Sequence, residues 1–429
     1  MTRISRSWIC VTSFLFILLS NSAYAQLPQL EWALNIEGNL HEWGTEVQFD
    51  SDGNAFMIGI ISTTTDVDPG PGEYLLTPPT GSDVYVVKLD PSGNFFWAVT
   101  LDGDYIVEDY YLTIDAQGNT FIHGVLEGSI RYHEQNQTHT VTSIGQEDFF
   151  IIKFDQNGSF QWFKSIGGTN RVFASDLTFD NQENLIIAGY FRGEVDFDPD
   201  ETSYLTNGGS NYSLFLLKLG PDGSFIWVYT MSGNNNAYFL DVRTDDQWNI
   251  YLMGRFKGNL DINPGEDEHI ISSLGAFQNL FILKLDANAN YLWSRKMGSD
   301  WTTTSVNFYI DSQSNILFAG QFYRSLYFGN ETIEFELVGN QDDYSFYIGK
   351  IGSDGSLGWL KMIGEYANLH MKQMTGDLLG NLYIIAMTLT RAQVQILSKR
   401  KGLKGLKKMV FYGNLIRMGT TFGHSAVEG

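Results

Sequence analysis

Residues 83–98 read DVYVVKLDPSGNFFWA. The pattern returns as DFFIIKFDQNGSFQWF (148–163), SLFLLKLGPDGSFIWV (213–228), NLFILKLDANANYLWS (279–294) and SFYIGKIGSDGSLGWL (345–360). Each copy is an apolar run holding one lysine, a turn rich in Gly, Asn and Ser, and a second apolar run with a tryptophan. That is the pattern of a β-hairpin. Aligned on the tryptophan, the series is Trp32, Trp97, Trp162, Trp227, Trp293 and Trp359, in steps of 65, 65, 65, 66 and 66 residues. A fixed period of this kind marks a repeat architecture.

Outside the hairpin a second series keeps the same step. Asp50, Asp115, Asp180, Asp245, Asp311 and Asp377 are each followed four residues later by Asn54, Asn119, Asn184, Asn249, Asn315 and Asn381. Five residues further stand Gly59, Gly124, Gly189, Gly254 and Gly320; Ala386 breaks this last series. The stretch EVQF-DSDGN-AFMIGI (46–60) is thus a second hairpin. Its apolar period is near two, and β-branched and aromatic residues dominate. Four short strands per unit predict an all-β fold, a β-propeller of ~65-residue four-stranded blades. Five full units and a partial sixth are legible, and as written they are expected to form an incomplete ring. The tryptophans are expected to wedge between neighbouring sheets with the indole N–H on a carbonyl. Structural glue is the expected role, ahead of a row of ligand-stacking platforms.

Residues 1–25 read as a secretory signal peptide. Arg3 and Arg6 precede the apolar run VTSFLFILL, and the segment closes on Ala23-Tyr24-Ala25, with cleavage expected before Gln26. Cys10, the one cysteine, lies in that run. The expected location is therefore secreted or cell-surface, with no disulfide and no transmembrane segment. Repeats fill 26–386. LEWALNI (30–36) enters as a tryptophan strand without its partners. In a closed ring it would complete the last blade.

From Met387 the repeat stops, and residues 387–429 hold eight Lys or Arg and one Glu. Read two nucleotides over, codons for Lys407 to His424 permit a further copy of the hairpin, with its lysine near 414 and its tryptophan near 423. The basic tail is therefore expected to be a frameshift product. Without signal and tail, 17 basic and 48 acidic residues remain, a net charge of −31. Such a surface argues against nucleic acid and suits divalent cations or basic partners.

A third motif follows the glycine: DVDPGPG (66–72), DFDPDE (196–201) and DINPGED (261–267). Side chains at i and i+2 of an extended segment share a face. Asp66 with Asp68, Asp196 with Asp198, and Asp261 are the candidate metal ligands, with calcium the candidate ion. The alternative is a good Asp-Pro-Gly turn with a solvated acidic lip. Unit two has Arg131 and His133 at these positions, and unit five has Tyr327 and Gly329. The seven histidines lack ligand spacing, and His133 and His139 are expected on the surface. No nucleophile elbow, dinucleotide fingerprint or P-loop occurs. No catalytic residue is assigned.

The units resemble the SBBP-type β-propeller repeats of secreted Bacteroidetes proteins. The resemblance rests on DVYVVKLDPSGNFFW (83–97) and GYFRGEVDFDPDE (189–201) and covers about 30–386. It implies a propeller outside the cytoplasm and no common activity. D-x-x-G-x-x-x-W also resembles the tryptophan-docking motif of quinoprotein propellers, which fits structural tryptophans.

The expected function is a non-enzymatic, monomeric, exported module that binds protein or polysaccharide. One alternative is a carbohydrate-active hydrolase or lyase using channel-mouth carboxylates. Another is a purely structural envelope protein.

Overall fold

The computed structural model describes residues 36, 43–79, 82–134, 137–198, 203–263, 267–274, 277–299, 304–323, 326–329, 331–333, 344–363, 369–376 and 382–388. The signal segment, Trp32, Asp377, Asn381 and the basic tail lie outside the described residues. Within them the chain is all-β, built from antiparallel strands with no helix.

Each unit is a four-stranded meander, as its two hairpins require. Unit three pairs Val172–Phe179, Leu185–Phe191, Ser213–Leu219 and Phe225–Met231 in sequence order. Unit four does the same with Ala237–Thr244, Ile250–Phe256, Asn279–Leu285 and Tyr291–Ser299. Unit five uses Thr304–Ile310, Ile316–Tyr323, Tyr344–Ile351 and Leu357–Ile363. In the sixth the described residues form Leu369–Gly376 and Leu382–Thr388. Units one and two share one sheet, because Phe95–Ile114 runs from the fourth strand of one into the first strand of the other. The first strands of units three, four, five and six pack one against the next. This architecture is compatible with propeller blades, and no sheet among the described residues pairs the first unit with the last.

The glycine series has a packing cause. Gly59, Gly124, Gly189, Gly254 and Gly320 on the second strands face Tyr85, Phe150, Phe215, Phe281 and Tyr347 on the third. The aromatic ring lies over the glycine: a Cβ on Gly254 would stand 2.3 Å from Phe281 Cζ, and one on Gly189 2.4 Å from Phe215 Cζ. Opposite each glycine the first strand bulges, as between Ala174 and Asp176 and between Phe239 and Asp241. A bulge sharpens the local twist and re-aims the side chains beside it.

One element goes beyond the four expected strands. The segment after each glycine forms a short two-stranded hairpin, as in Glu194–Asp196 with Leu205–Asn207, and Asn259–Asp261 with Ile270–Ser272. These hairpins lace the units together. Gly167 and Gly168, at the end of unit two, pair with Asp196 and Val195 of unit three. Met297 to Ser299 of unit four pair with Leu326 to Phe328 of unit five. Strands of two or three residues carry too little periodicity to be legible in a sequence. Ile36, the last residue of LEWALNI, packs against the core cluster of unit one that includes Ile61, Val67 and Val87.

Candidate functional site

Recurrent polar residues are the first place to look for a site, and most of them prove to join units. Lys88 and Trp97 are cross-strand partners. The Trp97 indole N–H donates to the carbonyl of Gln156, in the turn between the third and fourth strands of unit two, at 3.1 Å. Lys88 Nζ donates to the same oxygen at 3.1 Å. Trp162 and Lys153 repeat this on the Pro221 carbonyl at 3.1 and 2.9 Å. Trp293 and Lys284 repeat it on Ser353 at 3.0 and 3.2 Å. The expected wedge with a satisfied N–H is present at these three joints. Trp227 departs from it, with its ring against Tyr229. Trp359 faces Lys350 across its hairpin, and Lys361 lies over its ring.

The same lysines face the aspartates of the other hairpin. Lys218 lies 2.6 Å from Asp180 and Lys350 2.8 Å from Asp311. Each aspartate also closes its own turn: Asp180 Oδ1 accepts the Asn184 N–H at 3.0 Å and Oδ2 accepts Asn184 Nδ2 at 2.9 Å. Burial pushes the Asp180 carboxyl up, but the Lys218 ammonium and the Asn184 hydrogen bonds outweigh it and hold it below the usual value.

A second cluster lies where first strands meet, beside the bulges. Glu46 accepts the Leu112 N–H at 3.1 Å, Asp176 the Val242 N–H at 3.2 Å, and Asp241 the Phe308 N–H at 3.3 Å. Each carboxylate therefore ties its strand to that of a neighbouring unit. Arg243 joins Asp176 at 2.9 Å and Asp241 at 3.0 Å. Burial, with Asp176 close by, pushes the Asp241 carboxyl well up despite Arg243. Burial also raises Glu46. His123 is buried between Tyr111 and Phe149, and burial pulls its pKa down to about 4. Reading along the chain brings none of these together, since they come from four units.

The acidic loops close on their own backbone. Asp66 Oδ1 accepts the N–H groups of Asp68 and Tyr74 at 3.0 and 2.9 Å. Asp196 Oδ1 accepts those of Asp198 and Tyr204 at 3.1 and 2.8 Å. Asp261 Oδ1 accepts those of Asn263 and His269 at 3.2 and 2.9 Å. One oxygen of each leading aspartate is thus spent on closing a loop to the residue eight positions on. Among the described residues no group of three or more His, Cys, Asp or Glu has metal-holding geometry.

In unit two, Arg131 pairs with Asp104 at 2.8 Å and His133 with Asp102 at 2.6 Å. His133 is exposed, as expected. His139 is not a free surface residue: its ring stacks on Phe160 at 3.8 Å. This is a repeated contact, since Tyr74–Phe95, Tyr204–Phe225 and His269–Tyr291 occupy the corresponding places at 4.7, 5.3 and 4.5 Å. The 65-residue register of His139 with Tyr74 and Tyr204 was the available signal.

No family model matches the chain. An uncharacterized WD repeat-containing protein of Acanthamoeba polyphaga mimivirus is 24% identical over 246 residues, 52% of this chain and 18% of that protein. The regulatory protein FlaEY of Caulobacter vibrioides is 25% identical over 182 residues, 40% of this chain and 19% of that protein. The chain thus spans less than a fifth of either relative. A protein of unknown function from Bacteroides caccae shares 8% identity at a TM-score of 0.28, over 65% of this chain and 89% of that one. The extracellular domain of a proposed one component system from B. thetaiotaomicron shares 10% at 0.18, over 82% and 65%. At such TM-scores the structural likeness carries no argument. The repeated all-β units and the WD repeat relative together support a β-propeller-like repeat protein.

Proposed function

We propose that the chain is an exported, non-enzymatic β-propeller that works as an extracellular interaction module. The observation that carries this reading is where the recurrent side chains go. Most of the recurrent lysines and tryptophans and the interstrand carboxylates serve joints between units, and the turn aspartates close their own hairpins. Exposed apolar residues meanwhile recur at one edge: Tyr74, Leu75 and Phe96 in unit one; Tyr204, Leu205 and Ile226 in unit three; Ile270 and Leu292 in unit four. Exposed apolar positions in register suit a docking surface better than a solvated one. Purified chain applied to arrays of glycans and of secreted proteins tests the reading; binding lost on changing Phe96, Ile226 and Leu292 to Ser supports it. Equal binding by the triple variant removes the edge as the surface.

The carboxylates beside the bulges favour one second reading, a carbohydrate-active hydrolase or lyase. Two acids with raised pKa, Glu46 and Asp241, are what an acid catalyst requires. Release of new reducing ends from a polysaccharide, abolished by Asp241→Asn, would establish it. The interstrand hydrogen bonds held by both acids argue for a structural role.

A further inference from the structure

The joint between units three and four lacks the tryptophan–lysine latch that closes the one–two, two–three and four–five joints, and a cavity opens there. At these three joints a glycine lies beneath the tryptophan of the preceding unit. A Cβ on Gly158 would stand 2.8 Å from the Trp97 ring, one on Gly223 3.1 Å from Trp162, and one on Gly355 2.8 Å from Trp293. Unit four has Ala289 at this place, with φ of 62°. By the measure of Gly158, whose Cβ would stand 2.8 Å from the Trp97 ring, a methyl group here leaves too little room for a ring seated in that way. Among the described residues Trp227 makes no bond to that turn; its ring packs on Tyr229 at 4.9 Å and 45°. Lys218 holds Asp180 instead of a carbonyl of the next unit.

The resulting cavity of about 440 Å³ is lined by Tyr229, Asp267, Glu268, His269, Ala289 and Tyr291, among others. That is within the size range of small-ligand sites. Its wall is held in place: the Tyr291 hydroxyl meets His269 Nε2 at 2.9 Å and Ser294 Oγ at 3.1 Å.

The repeat itself shows what the cavity lacks. Two residues after the tryptophan, unit two has Lys164 and unit four has Arg295, and both lie over the following turn. Arg295 Nε donates to the Gly355 carbonyl at 2.6 Å, and its guanidinium lies 5.7 Å from the Trp293 ring. Unit one has the apolar Val99 and unit three Tyr229 at this place. At the unit three–four joint the place after the tryptophan brings no cation, and Lys218, 6.0 Å over the Trp227 ring, is held by Asp180; two carboxylates and three aromatic rings line the space. Lys296, on the fourth strand of unit four, is engaged by the Ser272 carbonyl at 3.2 Å.

We propose that this cavity takes the guanidinium or ammonium side chain of a basic polypeptide. The proposal rests on the interaction-module reading and names its partner. The entering cation would supply the charge that Arg295 supplies in the next unit, seated against Tyr229 and Tyr291 and beside Asp267 and Glu268. Aromatic faces attract a cation most strongly when it is partly desolvated. The acidic body steers such a partner toward the molecule.

The test uses the full chain and the capped peptide Ac-Gly-Gly-Arg-Gly-Gly-amide, with lysine and citrulline versions, read by the indole N–H resonances. Citrulline keeps the shape and removes the charge. Expected is binding of the arginine and lysine peptides at least about tenfold tighter than citrulline. Ala289→Gly leaves the charge unchanged and lets Trp227 reseat; Tyr229→Arg supplies the missing cation. Each is expected to weaken binding at least about tenfold, with the far-ultraviolet spectrum unchanged. Equal binding of arginine and citrulline peptides overturns the proposal. So does full binding by Ala289→Gly, which would mean diffuse charge attraction. A glucosamine oligomer that binds here while both basic peptides fail also overturns it, in favour of an amino sugar. A partner lost through the Phe96, Ile226 and Leu292 substitutions but insensitive to Ala289→Gly would leave the interaction-module reading standing and this site refuted.

Discussion

Lys88 and Trp97 stand opposite each other on adjacent strands and donate to one acceptor, the Gln156 carbonyl in the next unit, each at 3.1 Å. A carbonyl oxygen has two lone pairs, so both donors are satisfied by one atom. The pair is a hairpin feature that becomes a joint between sheets.

Removing the indole N–H should therefore cost stability where the joint is closed and little where it is open. Trp97→Phe, Trp162→Phe and Trp293→Phe are each expected to lose about 1–3 kcal/mol in denaturant unfolding. Trp227→Phe is expected to lose less than about 0.5 kcal/mol. An equal loss at Trp227 would show that the latch is not what the other three contribute.

Gly254 has no room for a side chain. Its Cβ would fall 2.3 Å from Phe281 Cζ and 2.7 Å from the Tyr238 carbonyl oxygen. Gly254→Ala should destabilise by about 1–3 kcal/mol through overpacking. Phe281→Ala should cost about 3–5 kcal/mol, and the double variant less than the sum, because the two share a contact. Strict additivity would break the link.

His123 predicts a pH dependence of known sign. Burial lowers its pKa from 6.5 to about 4. Below 6.5 the unfolded chain takes up a proton that the folded chain refuses. Its contribution to stability is thus full above 6.5 and declines as pH falls toward about 4, by on the order of 3 kcal/mol. His123→Met, the residue type at the matching Met253, should flatten that part of the melting profile. An unchanged slope between pH 6.5 and 4 would assign it to other groups.

Calcium at the acidic loops would compete with amide donors for Asp66, Asp196 and Asp261 Oδ1. Melting temperatures in calcium and in EDTA are therefore expected to agree. A rise of several degrees with calcium would show a site in the loops, since binding to the folded state alone stabilises it.

The change of composition at Met387 is tested at the locus. Sequencing from codon 380 onward is expected to restore the K-L-D…G-N…W hairpin in a corrected frame. Confirmation of the present frame in the expressed protein would make the basic tail a segment of its own.

Much of the fold was legible along the chain because its signals are short-range. A strand shows itself at i and i+2, a turn in four residues, and a 65-residue period needs only counting. The all-β meander, the two hairpins of each unit and the N–H acceptor demanded by Trp97, Trp162 and Trp293 followed from that. The cross-unit hairpins did not, because strands as short as Glu194–Asp196 are too brief to alternate. Nor did the meeting of Glu46, Asp176, Asp241 and Arg243, whose positions are set by how first strands pack.

By itself, the sequence determined which residue each unit offers at each place, including Ala289 where other units have glycine. Only the tertiary structure decided what that residue does. The acceptor of Trp97 lies 59 residues away in another unit. A methyl group on one turn can therefore unseat Trp227 on a different sheet and open a cavity between them. Packing joins positions that no local pattern relates, and among the described joints the one between units three and four, which lacks the latch, is where we place a partner's cation.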